Sequence, residues 1–71
     1  MPTYYFKINY DTCEIYDTGN GGGIAKWFLK KVGRQVLFYP NGNGGGIATK
    51  SFDDVDDIRD VIELTFYLII K

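Results

Sequence analysis

The sequence predicts an α+β fold: a small antiparallel β-sheet of four to five strands, arranged as a meander, with one C-terminal amphipathic helix packed on one face. Three observations carry this reading. The start of the chain alternates apolar and polar residues with the period of a strand, glycine- and asparagine-rich clusters punctuate the middle, and the end places apolar residues at helical spacing behind an acidic run. At 71 residues the chain is a single domain near the lower size limit for a stable core, and it has one cysteine, so no internal disulfide can help. The core must be built from side chains alone. With 45% apolar and 17% aromatic residues, the material for it is present.

In Thr3 to Tyr10, the residues Tyr4, Phe6, Ile8 and Tyr10 point one way and Tyr5, Lys7 and Asn9 the other, so one face is buried. Asp11-Thr12 can turn the chain into a second strand from Cys13 to Asp17, with Cys13 and Ile15 opposed to Glu14 and Tyr16. A glycine block at residues 19 to 23 ends it. Ile24 to Lys31 fits a helix that groups Ile24, Trp27, Phe28 and Lys31, but it also fits a strand. The strand is favoured because its aromatic residues suit a pleated surface and Gly33-Arg34 is well placed to turn it into Gln35 to Tyr39. Pro40 to Gly44 is a strong turn cluster, and Gly46 to Lys50 can form a fifth strand. Ser51 is the expected N-cap of the final helix, with Asp54 three residues on and Lys71 at the far end. Val55, Ile58, Ile62, Phe66 and Ile69, joined by Val61 and Leu68, form its apolar stripe. A short helix to Glu63 followed by a strand from Leu64 to Ile70 is the rival reading of this tail.

The string Gly-Asn-Gly-Gly-Gly-Ile-Ala occurs twice, at Gly19 to Ala25 and at Gly42 to Ala48, each time after an apolar run ending in tyrosine, Tyr16 and Tyr39. A fixed offset of 23 residues indicates one structural device used twice, and a meander puts both copies at the same end of the sheet. The second copy continues into Lys50-Ser51, but Thr49 stands where a phosphate-binding P-loop needs its last glycine. Neither copy is a dinucleotide fingerprint, since Ile24 and Ile47 take the third glycine position. What remains open to the glycines Gly21, Gly22, Gly23, Gly44, Gly45 and Gly46 is an anion-binding nest of backbone N–H groups. Between Trp27 and Glu63 the order of hairpin, Lys50-Ser51-Phe52 and acidic helix start loosely resembles the sheet-plus-helix arm domains of tyrosine integrases, a likeness in strand order that assigns no residue a role.

The absence of histidine removes the commonest general base and zinc ligand, and there is a single serine. No catalytic residues, metal ligands or cofactor are expected, and the chain is not expected to be an enzyme. Net charge is −1, but residues 1 to 50 carry +3 and residues 51 to 71 carry −4, which reads as an acidic helix beside a mildly basic sheet. The acidic helix face would be Asp53, Asp56, Asp57, Asp60 and Glu63. One helix covers one side of a sheet, so the other side should present Tyr5, Lys7, Tyr16, Lys26, Phe28 and Lys30, an interleaving of aromatic and basic groups that suits partner contact or single-stranded nucleic acid. The expectation is a non-enzymatic binding module, a regulator or inhibitor acting by contact with another protein or with itself as a homodimer, of the phage or mobile-element accessory type. The alternative is nucleic-acid or nucleotide binding through the aromatic-basic face or the glycine loops. With no signal-like start, an unpaired Cys13 and a longest apolar run, Leu64 to Ile70, too short to span a bilayer, the expected setting is cytoplasmic, away from membranes.

Overall fold

The computed structural model describes residues 4–69. Five strands, β1 (Tyr5–Asn9), β2 (Thr12–Tyr16), β3 (Trp27–Val32), β4 (Gln35–Tyr39) and β5 (Lys50–Phe52), form one sheet in the order β1-β2-β3-β4-β5 with every neighbouring pair antiparallel. A 3₁₀ turn (Ile58–Val61) then runs directly into helix α1 (Ile62–Ile69). This is the α+β meander that the alternation and the turn clusters predict.

Alternate residues of the central strands point under the helical segment. Cys13 and Ile15 of β2, Leu29 of β3, and Val36 and Phe38 of β4 are buried there, in register Cys13 with Leu29, Ile15 with Trp27, and Leu29 with Phe38. Val55, Ile58 and Val61 close over them, and Thr65 is buried with its hydroxyl donating to the Val61 carbonyl at 2.7 Å. Each fully buried aliphatic side chain contributes about 1.5–3 kcal/mol, so this small set supplies most of what holds the domain together. Tyr4 closes one end of the layer, its ring edge-on to Trp27 at 5.8 Å and to Phe66 at 5.6 Å. Burial and the adjacent Glu14 push the Cys13 thiol up to about 12, which keeps it neutral and unreactive.

The hairpins β1–β2 and β3–β4 have two-residue turns, Tyr10-Asp11 and Gly33-Arg34, with φ of 56° and 61° at the first turn residue and no positive φ at the second. Positive φ in a two-residue turn is the mark of the primed turns, whose twist matches that of the flanking strands. The first strand is therefore shorter than Thr3 to Tyr10: Thr3 lies outside the described residues, and Tyr10 is turned out, 93% exposed rather than core-facing. The third strand starts at Trp27 and not Ile24, because the glycine loop continues through Lys26, whose N–H reaches back to the Ile15 carbonyl at 2.8 Å.

The largest corrections fall between Gly46 and Asp57. The fifth strand is Lys50–Phe52, not Gly46 to Lys50, and Ser51 is paired with Leu37 in the sheet instead of capping a helix. Residues 53–57 are irregular because the β3–β4 turn offers them partners: Val55 N–H donates to the Arg34 carbonyl at 2.9 Å, Gln35 Nε2 donates to Asp53 Oδ1 at 3.1 Å, and Arg34 pairs with Asp56. Of the proposed acidic helix face, Asp53 and Asp56 lie off the helix, Asp57 caps it, and Asp60 and Glu63 occupy its first turns. Of the apolar stripe, Val55 is buried from the irregular segment, whereas Leu68 points outward. Ile62 to Ile69 is helical, which settles the rival strand reading across 64–69, and Ile70 and Lys71 lie outside the described residues.

Asp57 is the true cap. Its Oδ1 accepts from the Arg59 N–H at 3.0 Å, and its carboxylate also takes the Arg59 guanidinium at 2.7 Å. These bonds hold its carboxyl at about 2, below the ordinary 3.8. A depressed value means that the cap stabilises the fold above the unfolded value and loses that contribution as pH falls from about 4 towards 2. The melting temperature of Asp57→Asn should lie below that of the parent at pH 7, with the gap closing as pH approaches 2; a gap independent of pH would contradict the assignment.

Candidate functional site

The structure enlarges the sequence repeat from seven residues to a whole unit of hairpin and loop. At the offset of 23, Tyr5 and Tyr16, paired across β1 and β2, correspond to Phe28 and Tyr39, paired across β3 and β4. The rings in the two pairs meet at 6.0 Å and 6.2 Å with interplanar angles of 56° and 55°. Each pair lies on the sheet face away from the helix, and each is topped by its own glycine loop. A Cβ on Gly21 would come within 2.8 Å of the Tyr5 ring, and one on Gly44 within 2.8 Å of the Phe28 ring. Both glycines also have positive φ, 74° and 75°.

Within each loop the same bonds recur. Gly21 N–H donates to the Thr18 carbonyl at 3.2 Å and Gly44 N–H to the Asn41 carbonyl at 3.0 Å. Gly22 N–H donates to Asn20 Oδ1 at 2.9 Å and Gly45 N–H to Asn43 Oδ1 at 2.8 Å. Both loops return to the sheet through one bond, Lys26 N–H to the Ile15 carbonyl and Thr49 N–H to the Phe38 carbonyl. The two loops also touch each other: a Cβ on Gly42 would stand 1.7 Å from the Ala25 carbonyl oxygen, so the backbones are in direct contact there. Glycine is thus required for seating on the rings and for stacking of the loops. The amides of Gly21, Gly22, Gly44 and Gly45 are spent inside the loops, and a nest for an anion would have to draw on Gly23 and Gly46 instead.

What the loops offer to solvent is apolar. Ile24 is 91% exposed and Ile47, its equivalent, 86%. No charged residue occurs between Thr18 and Ala25 or between Pro40 and Thr49. Sequence reasoning missed this pair as a site, although an isoleucine following three glycines at the same place in both copies was the available signal.

Of the residues expected on the open sheet face, Tyr5, Lys7, Tyr16, Phe28 and Lys30 do share it, as their alternation with buried Cys13, Ile15 and Leu29 requires. Lys26 lies outside the strand, 3.7 Å from the Asp17 carboxylate. The face also carries Glu14 opposite Lys7, and Leu37 and Tyr39 on β4. Tyr16, Phe28 and Tyr39 are half-buried beneath the glycine loops and one another, and Tyr5 is the most open ring of the four. At the opposite end of the sheet a mixed-charge cleft includes Tyr10, Lys31 and Arg59. Its cations are engaged internally, Lys31 with the Gly33 carbonyl and Arg59 with Asp57. Among the described residues there is no cluster of three or more metal-ligating side chains, and no helix is long and apolar enough to cross a membrane.

Alanine at these glycines separates the roles. Gly46→Ala adds a Cβ into open space and incurs only the positive-φ cost of about 1–2 kcal/mol. Gly44→Ala adds displacement of the Phe28 ring, a further loss of about 1–3 kcal/mol, whereas Gly42 has no positive φ and alanine there loses about 3 kcal/mol or more because its Cβ overlaps backbone. Urea unfolding midpoints should fall least for Gly46→Ala; equal losses at all three positions would mean that the loops are not seated. No family model, no curated protein and no solved structure matches this chain.

Proposed function

We propose that the chain is a small non-enzymatic binding module that acts by protein–protein contact, with Ile24 and Ile47 as the side chains it inserts into its partner. The observation that carries this reading is the pair of equivalent, almost fully exposed isoleucines on two loops that are bonded to the sheet and stacked on each other. Burial of one isoleucine contributes about 1.5–3 kcal/mol, so the two supply a substantial part of the roughly 8 kcal/mol of a micromolar complex. Loops already held in one shape lose little entropy on docking. The uncharged rim favours an apolar socket on another protein over a phosphate-bearing ligand. Occupying such a socket masks it, which is the action of a regulator or inhibitor of the kind that phages and mobile elements encode as stand-alone chains.

A photo-crosslinking residue placed at position 24 or 47 should join the chain covalently to one protein in an extract of its source cells. Capture from position 24 is expected to fall in Ile47→Ser, and capture from position 47 in Ile24→Ser, without a change in melting temperature, and both are expected to persist in Lys7→Ala, Lys30→Ala and at raised salt. Capture that instead requires the two lysines, falls steeply with salt, or yields nucleic acid would overturn the proposal in favour of the aromatic-basic face.

A further inference from the structure

The repeat unit does not stop at two copies. Lys50, Ser51 and Phe52 stand 23 residues beyond Trp27, Phe28 and Leu29, and β5 pairs with β4 as β3 pairs with β2: Phe38 with Lys50, Leu37 with Ser51 and Val36 with Phe52 repeat Ile15 with Trp27, Glu14 with Phe28 and Cys13 with Leu29. Strand β5 is thus the first strand of a third unit. In the second unit the far side of the equivalent strand is filled by β4, where Tyr39 lies opposite Phe28 and Gly42, three residues on, rests against the Ala25 carbonyl. In the third unit nothing among the described residues pairs with that side of β5. A groove of about 490 Å³, lined by Gln35, Leu37, Ala48, Thr49, Lys50 and Ser51, lies at the matching place. Ala48 is the equivalent of Ala25, and Ser51 replaces the aromatic platform of Tyr5 and Phe28, which leaves the space above it open.

We infer that this groove and the outer edge of β5 form a docking site for an extended segment of a partner protein, added antiparallel to β5 as a sixth strand. The molecule itself specifies the occupant, because the same seat is filled one unit earlier. The segment needs an aromatic residue opposite Ser51 and a glycine three residues later against Ala48, the pattern of Tyr39-Pro40-Asn41-Gly42 and of Tyr16-Asp17-Thr18-Gly19. Main-chain bonds to the strand edge supply affinity, while the ring over Ser51 and the close approach at Ala48 supply selectivity. Neither isoleucine side chain lines this groove, so either assignment can fail without the other.

The probe is a synthetic peptide with the chain's own sequence from Gln35 to Gly46, titrated into the ¹⁵N-labelled full chain. Shifts confined to the amides of Ala48 to Phe52 and to the β4 residues beside them are expected. Peptides carrying Gly42→Val or Tyr39→Ala should bind about tenfold more weakly or worse. The inference is overturned by no shift at millimolar peptide, by shifts centred on β1, or by equal binding of the Gly42→Val peptide. It is also overturned if the Ala48 to Phe52 signals change with protein concentration in the absence of peptide, since the occupant would then be a second copy of this chain.

Discussion

Direct contact between the backbones of the two glycine loops, Gly42 against the Ala25 carbonyl, is the constraint on which the rest of the molecule turns. It works together with the seating of Gly21 on Tyr5 and Gly44 on Phe28. A loop of ten residues rich in glycine would ordinarily be among the most mobile parts of so small a domain, because glycine loses more conformational freedom on ordering than any other residue. Here the missing Cβ atoms allow contacts that no other residue permits, and the asparagine side chains satisfy the amides that the turn exposes. The outcome is a rim, bonded to the sheet and in contact from loop to loop, that holds two isoleucines in solvent.

The two sides of the sheet are consequently unlike. The face under the 3₁₀ turn and α1 is a mainly aliphatic core with Phe38 buried in it and further aromatic rings packed against it, and its polar exception, Thr65, is satisfied by its own helix. The other face is aromatic, with tilted ring pairs partly roofed by the loops of their own units. With one short helix among its described residues, the chain thereby covers part of its second face without a second layer of secondary structure there. The third unit departs from the plan after Phe52: its acidic residues are drawn to the β3–β4 turn, and the chain crosses to the core side to become the cover.

Strand periodicity made much of this legible. The alternation in β1 and β2, the Gln35 to Tyr39 strand, the Gly33-Arg34 turn and the placement of both glycine blocks at one end follow from local pattern, which is reliable where one face is buried and the other is not. The helix start was not legible because Ser51 followed by aspartates satisfies every local rule for a cap. What overrides it is tertiary: a ladder partner in Leu37 and hydrogen-bond partners in Arg34 and Gln35, none of them near in sequence. Tyr10 misled for a related reason, since it continues the apolar alternation but occupies a turn position that demands positive φ. At the candidate site the glycines were visible as a repeat, whereas their function as flat seats for rings and for each other depends on which aromatics lie beneath them. That Ile24 and Ile47 stand in solvent follows from the fold, which alone defines their exposure.

Backbone ¹⁵N relaxation of the glycine loops tests the central claim most directly. If the loops are seated as described, the order parameters of Gly21, Gly22, Gly44 and Gly45 should match those of β2 and β4, near about 0.85. Values below about 0.6 at these amides, beside rigid strands, would show loops free of the rings and of each other, and would contradict the account.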